Sequence, residues 1–149
     1  MDDNAEPYLV VVGLDGSDLS LGALEWAVNE AKLRQGAVRV VTAWHYPPVP
    51  SSVEDTAPND AFHYSQRMQA GTLATVDSRG VDVSAVLVRD PPAKALLRAA
   101  KDAQLLVVGS RGHGGFAGLL LGSVSAQVAQ HANCPVLIFR PPAKDSATR

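Results

Sequence analysis

The sequence predicts an α/β fold, a parallel β-sheet covered by helices on both faces. Three observations lead there. Short apolar, β-branched runs recur along a chain of 149 residues, a length suited to one domain with a single core. Segments with helical spacing separate those runs, the alternation that gives right-handed β-α-β units. Several runs are apolar on both faces, as strands covered on both sides are.

In chain order, "YLVVVGL" (residues 8–14) is the first strand. The helix after it carries Leu24, Ala27, Val28 and Ala31 at i, i+3, i+4 and i+7. Ser17 or Asp18 caps its start and Gly36 stops it. "VRVVTAW" (38–44) follows, then "HYPPVPSSVEDTAPND" (45–60), a long proline- and serine-rich loop that is either a flap over a site or a connector. Residues 58–79 read as a helix of weaker periodicity, and "VDVSAVLV" (81–88) as a strand that alternates before turning apolar. Ala93, Leu96, Leu97 and Ala100 mark the next helix, with Pro92 suited to its first turn. "LLVVG" (105–109), a helix from "GSVSAQVAQHA" ended by Asn133 and Pro135, and the short strand "PVLIF" (135–139) complete the core. Residues 141–149 read as a frayed tail, so the chain is expected to be one domain with a core over 8–140.

Five strands fit a doubly wound sheet in the order 2-1-3-4-5 or 3-2-1-4-5. Ligands in such sheets sit beyond the carboxyl ends of the strands, where the winding reverses. Composition narrows the class of ligand. A net charge of −2 gives no basic footprint for nucleic acid, and no run is long and apolar enough for a membrane span. Hydrophobic residues at 46% and charged residues at 19% suit a globular protein rather than a disordered one. The lone Cys134, expected as a small buried apolar group, allows no internal disulfide, and the acidic N-terminus is unlike a signal peptide. A soluble, cytoplasmic protein is the expectation.

At the strand ends, the glycine-rich segment after Val108 stands out. Gly109 and Gly112 follow the fourth strand, and Gly122-Ser123 opens a helix. Glycines let backbone N–H groups converge on an anion, and a helix start adds unpaired donors and a positive dipole end. Ser123 can add a hydroxyl and Arg111 a guanidinium. No acidic residue lies between Asp102 and Asp145, as a phosphate site favours. The plain alternative is a set of tight turns with Ser123 as an ordinary cap. Two other phosphate loops do not fit: no Gly-Lys pair exists for a P-loop, and "GHGGFA" follows a late strand with no ribose-binding acid downstream. Asp15, in "GLDGS", can accept from a ribose hydroxyl or help hold Mg²⁺, or it is simply a turn residue. No catalytic constellation emerges. His45, His63, His113 and His131 lack metal-ligand spacing, and Ser110 lacks a nucleophile elbow. His131, near a helix end, is expected to meet terminal carbonyls.

"GSRGHGGFAGLLLGS" has the form G-x-x-G, nine residues, then G-S, and follows an N-terminal "VVGLDGS". Together they resemble the ATP-binding branch of the universal stress protein family, over about residues 8–140. The resemblance implies a five-stranded parallel sheet in the order 3-2-1-4-5 with four helices, like the adenine nucleotide alpha-hydrolases. It implies that Gly13, Leu14 and Asp15 line the adenosine, with Ala43 offering its backbone to adenine. Val108, Gly109, Ser110, Arg111, Gly112, His113, Gly114 and Gly115 would wrap ribose and phosphates, and Gly122, Ser123 and Val124 would complete the cradle. Where many relatives have G-x-P, this chain has "RDPP". Asp90 there would repel phosphate, hold a sugar hydroxyl or meet a hydrated Mg²⁺ carried with ATP. The family commonly dimerises through its last strand, here Val136 to Phe139, unless "RPPAK" blunts that edge. The implied role is an ATP-responsive stress protein with slow or no hydrolysis. The alternative is an adenine-nucleotide-cleaving enzyme using Asp15 or Asp90 as base.

Overall fold

Val10, Val11 and Val12 are wholly inaccessible to solvent, as a central strand covered on both faces must be. They belong to a computed structural model that describes residues 6–44, 57–112 and 121–140. Most of the long loop, His113, Gly114, Gly115 and the tail 141–149 lie outside the described residues. In chain order the elements are β1 (Leu9–Gly13), α1 (Asp18–Arg34), β2 (Ala37–Trp44), α2 (Ala57–Thr75) and β3 (Asp82–Arg89). Then come α3 (Pro92–Ala99), β4 (Leu105–Gly109), α4 (Ser123–His131) and β5 (Val136–Phe139). The strands form one sheet in the order β3-β2-β1-β4-β5, and every pairing is parallel. Of the two orders the pattern allowed, the second is the one adopted.

The sheet separates two apolar layers. Val10, Val12, Val38, Val40 and Val107 pack on Ala23, Leu24, Ala27 and Val28 of α1. On the opposite face Val11, Val41, Leu106 and Val108 meet Ala93 and Leu96 of α3 and Val128 of α4. Each fully buried Val or Leu contributes about 1.5–3 kcal/mol relative to exposure. β3 and β5 are the two edges, which puts β5 where the sequence expectation had it.

Helix boundaries show what the pattern could not fix. Ser17 is the N-cap of α1, its hydroxyl accepting the Ser20 N–H at 3.2 Å. At the other end the left-handed residue is Gln35 (φ 54), not Gly36. Gly36 is needed for a different reason: a Cβ there would collide with the Tyr8 carbonyl. α2 stops at Thr75, short of residue 79, and Gly80 (φ 82) turns the chain into β3. α3 has Pro92 in its first turn, as expected. His131 stands in the last turn of α4. Cys134 is half-buried rather than buried, and that burial pushes its thiol up from the ordinary value.

Candidate functional site

Where β1 and β4 end side by side, the chains leaving them diverge: one turns into α1, the other toward α4. A cavity of about 290 Å³ opens between them. Gly13, Leu14 and Asp15 line it from β1, Val41 and Ala43 from β2, and Val108, Gly109, Arg111 and Gly112 from β4. Gly122, Ser123 and Val124 close it at the start of α4. Eleven of the residues singled out from the sequence therefore share one crevice.

Local chemistry explains how each wall is built. The turn after β1 is an Asx arrangement, in which the Asp15 carboxylate accepts the Ser17 N–H at 2.9 Å and the Ser17 hydroxyl at 2.5 Å. Gly16 (φ 89) supplies the left-handed residue this turn needs. Ser20, buried, accepts the Asp15 N–H at 3.3 Å and donates to the Ser17 carbonyl at 2.9 Å. On the facing wall the Ser110 carbonyl accepts twice, from the Gly122 N–H at 2.7 Å and from the Ser125 hydroxyl at 2.9 Å. That clamp binds the end of β4 to the start of α4. A Cβ on Gly112 would stand 2.5 Å from the Asp15 carboxylate, so the two walls touch through a glycine.

This geometry redistributes the expected donors. Ser110 is buried and outside the lining; its N–H goes to the Phe139 carbonyl and extends the β4–β5 ladder. The Gly122 N–H is spent on Ser110. The first helical bond of α4 runs from Ala126 to the Gly122 carbonyl, so the N–H groups of Ser123, Val124 and Ser125 have no partner within the helix. Those three and the Ser123 hydroxyl are donors that the described wall offers to an anion, and the Arg111 guanidinium adds positive charge beside them.

Asp90 does not line the cavity. Its carboxylate, just ahead of α3, sits 3.1 Å from Arg98 and 3.6 Å from Lys94, two cations of that helix that offset its charge. Ser20, Val41 and Ser125 line the crevice without having been singled out, and Ser17, Pro92 and Leu96, read from the sequence as helix residues, line it too. Val41 was legible by parity, two residues before Ala43 on the same face of a strand. Among the described residues no group of three His, Cys, Asp or Glu side chains is placed to hold a metal. Nor is any described helix long and apolar enough to cross a membrane.

Comparison with known proteins identifies the fold and its family. The profile of the universal stress protein family matches residues 9–140. The chain belongs to the universal stress protein family. Universal stress protein Rv2623 of Mycobacterium tuberculosis is 40% identical over 138 residues, covering 88% of this chain and 44% of that protein. The chain thus spans about half the length of the curated relatives it matches. Among solved universal stress proteins, one in complex with cAMP is 32% identical, with a TM-score of 0.58 over 91% of this chain and 98% of that one. UspA from Lactobacillus plantarum, 23% identical, shares the fold with a TM-score of 0.75 over 92% of this chain and 100% of that one.

Proposed function

We propose that this universal stress protein binds an adenine nucleotide, ATP, in the crevice between β1 and β4. Its role is then that of a nucleotide-responsive stress or regulatory protein with slow or no hydrolysis. The observation that carries the reading is convergence: Asp15, Ala43, Arg111, Gly112, Gly122, Ser123 and Val124 come from four separate segments and line one cavity. In this reading adenine lies against the Ala43 backbone and Asp15 takes a ribose hydroxyl. The phosphates run to Arg111, the Ser123 hydroxyl and the open N–H groups of α4. His113, Gly114 and Gly115, which follow Gly112 in sequence, lie outside the described residues. A relative at 32% identity has been seen with cAMP, which supports an adenine ligand.

The charge pattern favours binding over cleavage. Of the two carboxylates considered as a base, Asp90 is held by Lys94 and Arg98 away from the crevice, and Asp15 is tied to Ser17. Asp15, the carboxylate among the described lining residues, would be the side chain to meet a Mg²⁺ carried with the triphosphate, an ion that would supply neutralising charge at the phosphates. The protein acts as a homodimer joined through β5.

Isothermal titration of the purified protein with ATP, ADP, AMP and GTP tests the reading, alongside chromatography of any nucleotide released on heat denaturation. Saturable binding of ATP supports it. Absence of heat with every adenine nucleotide overturns it, and multiple turnovers of ATP would move the protein to the enzyme alternative.

A further inference from the structure

In a β-strand the N–H and C=O of successive residues point alternately to the two neighbouring strands. Leu14 donates its N–H to the Val41 carbonyl at 2.9 Å, so the peptide groups of Val41 face β1. Two residues on, those of Ala43 face the same way, and Thr42 between them faces β3. A parallel ladder that continued would give the Leu14 carbonyl to the Ala43 N–H. It stops instead: the register ends at Gly13 opposite Val41. The Leu14 carbonyl accepts the Thr42 hydroxyl at 2.9 Å, and among the described residues no backbone bond joins Ala43 to Leu14.

Thr42 does not act alone. Its oxygen accepts Nε2 of Gln69, on α2, at 3.1 Å, and the same amide nitrogen donates to the Val86 carbonyl of β3 at 2.9 Å. Both side chains are buried, Thr42 at 2% and Gln69 at 6% exposure. Because Gln69 donates to the hydroxyl oxygen, the hydroxyl proton is left to point at Leu14. A rotation of Thr42 would leave buried polar groups unsatisfied, so the arrangement has one state.

We infer that Thr42, locked by Gln69, is a specificity-positioning residue. It draws the segment after β1 off the sheet, keeps the Ala43 peptide out of the ladder, and presents that peptide to the ligand's base. The inference rests on the proposed nucleotide reading of the crevice. An amide N–H and C=O facing the cavity match a base edge that carries an acceptor beside an amino donor, as adenine N1 and N6 do. Guanine presents the reverse pair there and would leave both peptide groups opposed. Thr42 and Gln69 touch no ligand; they determine which peptide does.

Two measurements on the full chain test this, each on the wild type, Thr42→Val, Thr42→Ser and Gln69→Met. The first is amide hydrogen exchange at Ala43 without nucleotide. Thr42→Val frees the Leu14 carbonyl for the ladder, so the Ala43 amide is expected to exchange more slowly than in the wild type. The second is the ratio of ATP to GTP affinity, expected to fall about tenfold in Thr42→Val through the lost base contact. Thr42→Ser keeps the hydroxyl and should restore both values, and Gln69→Met, which loosens the hydroxyl without removing it, should fall between. A valine variant with the wild-type ratio, or with unchanged Ala43 exchange, overturns the inference. If Thr42→Val does not fold, Gln69→Met carries the same two tests, with wild-type values overturning it. A wild type that binds neither nucleotide refutes the proposed function instead, while the exchange measurement still decides what Thr42 does to the ladder.

Discussion

Gly122 has φ −75 and ψ 172, a backbone any residue can adopt, so what it needs is space. A Cβ there would lie 3.3 Å from the Arg111 Cα and 3.5 Å from the Ser110 carbonyl. Alanine asks for a shift of a few tenths of an ångström; glutamate adds bulk and a negative charge at the proposed phosphate site. For the wild type, ATP at about 100 times its dissociation constant should add about 2.7 kcal/mol. In a domain of this size that raises Tm by about 5–10 °C. Gly122→Glu is expected to fold and to lose that rise in differential scanning fluorimetry. A variant that still responds to ATP like the parent removes Gly122 from the site. At this scale the spaced glycines, Asp15 and Ser123 were legible because each is a local signal. The serine network was not: nothing local marks Ser125 as the partner of the Ser110 carbonyl, 15 residues away. Asp90 is instructive: it stands ahead of α3, outside the lining, and its partners Lys94 and Arg98 are cations of the helix that "PPAKALLR" announces.

Among the elements, the strands were read closely and the helix ends were not, for one physical reason. Burial on both faces writes a strand into composition, as in "LVVV" and "LLVV", whereas a helix ends where tertiary contacts say so. α1 stops at Gln35 because Gly36 must pass against the Tyr8 carbonyl. α3 is only eight residues long, and its end is pinned from β2: Arg39 donates to the Ala99 carbonyl at 2.8 Å and to Asp102 at 3.0 Å. The Arg39 hydrogen bond is the main cause that holds the Asp102 carboxyl below its ordinary value. A carboxylate depressed in the folded state stabilises above its unfolded pKa, about 4, and that stability is lost as pH falls through the folded value. Asp102 is 62% exposed, so solvent screening keeps the effect under about 1 kcal/mol. Urea denaturation across pH 2–6 should therefore show a shallower acid loss in Asp102→Asn than in the wild type. Parallel profiles would mean that the pair contributes nothing and that Arg39 acts through the Ala99 carbonyl alone.

For the molecule as a whole, the asymmetry of the sheet bears on the proposed dimer. β1 and β4 are sealed, yet all four residues of β5 remain partly exposed although they pack on both layers. Leu137 and Phe139 lean on the α1 side, and Val136 and Ile138 on the α3–α4 side. The Phe139 ring fills the space where Gly22 of α1 has no side chain, so the strand is held firmly in place from within. Among the described residues no strand pairs with its outer edge, which lies next to apolar side chains, a combination that invites strand pairing. Two-fold pairing of β5 with itself would cover that edge in both copies at once. The glycine crevice lies at the end of β4, and the Ser110 N–H bonds the Phe139 carbonyl, so a hydrogen bond joins the edge strand to the crevice wall. Replacing Ile138 with lysine puts a charge at the seam while leaving the Gly22–Phe139 contact alone. Sedimentation equilibrium should then show a dimer for the wild type and a monomer for Ile138→Lys. The wild-type Tm should rise with protein concentration, and that of the variant should not. A wild type that stays monomeric at every concentration refutes the dimer and leaves β5 an edge protected by means other than pairing.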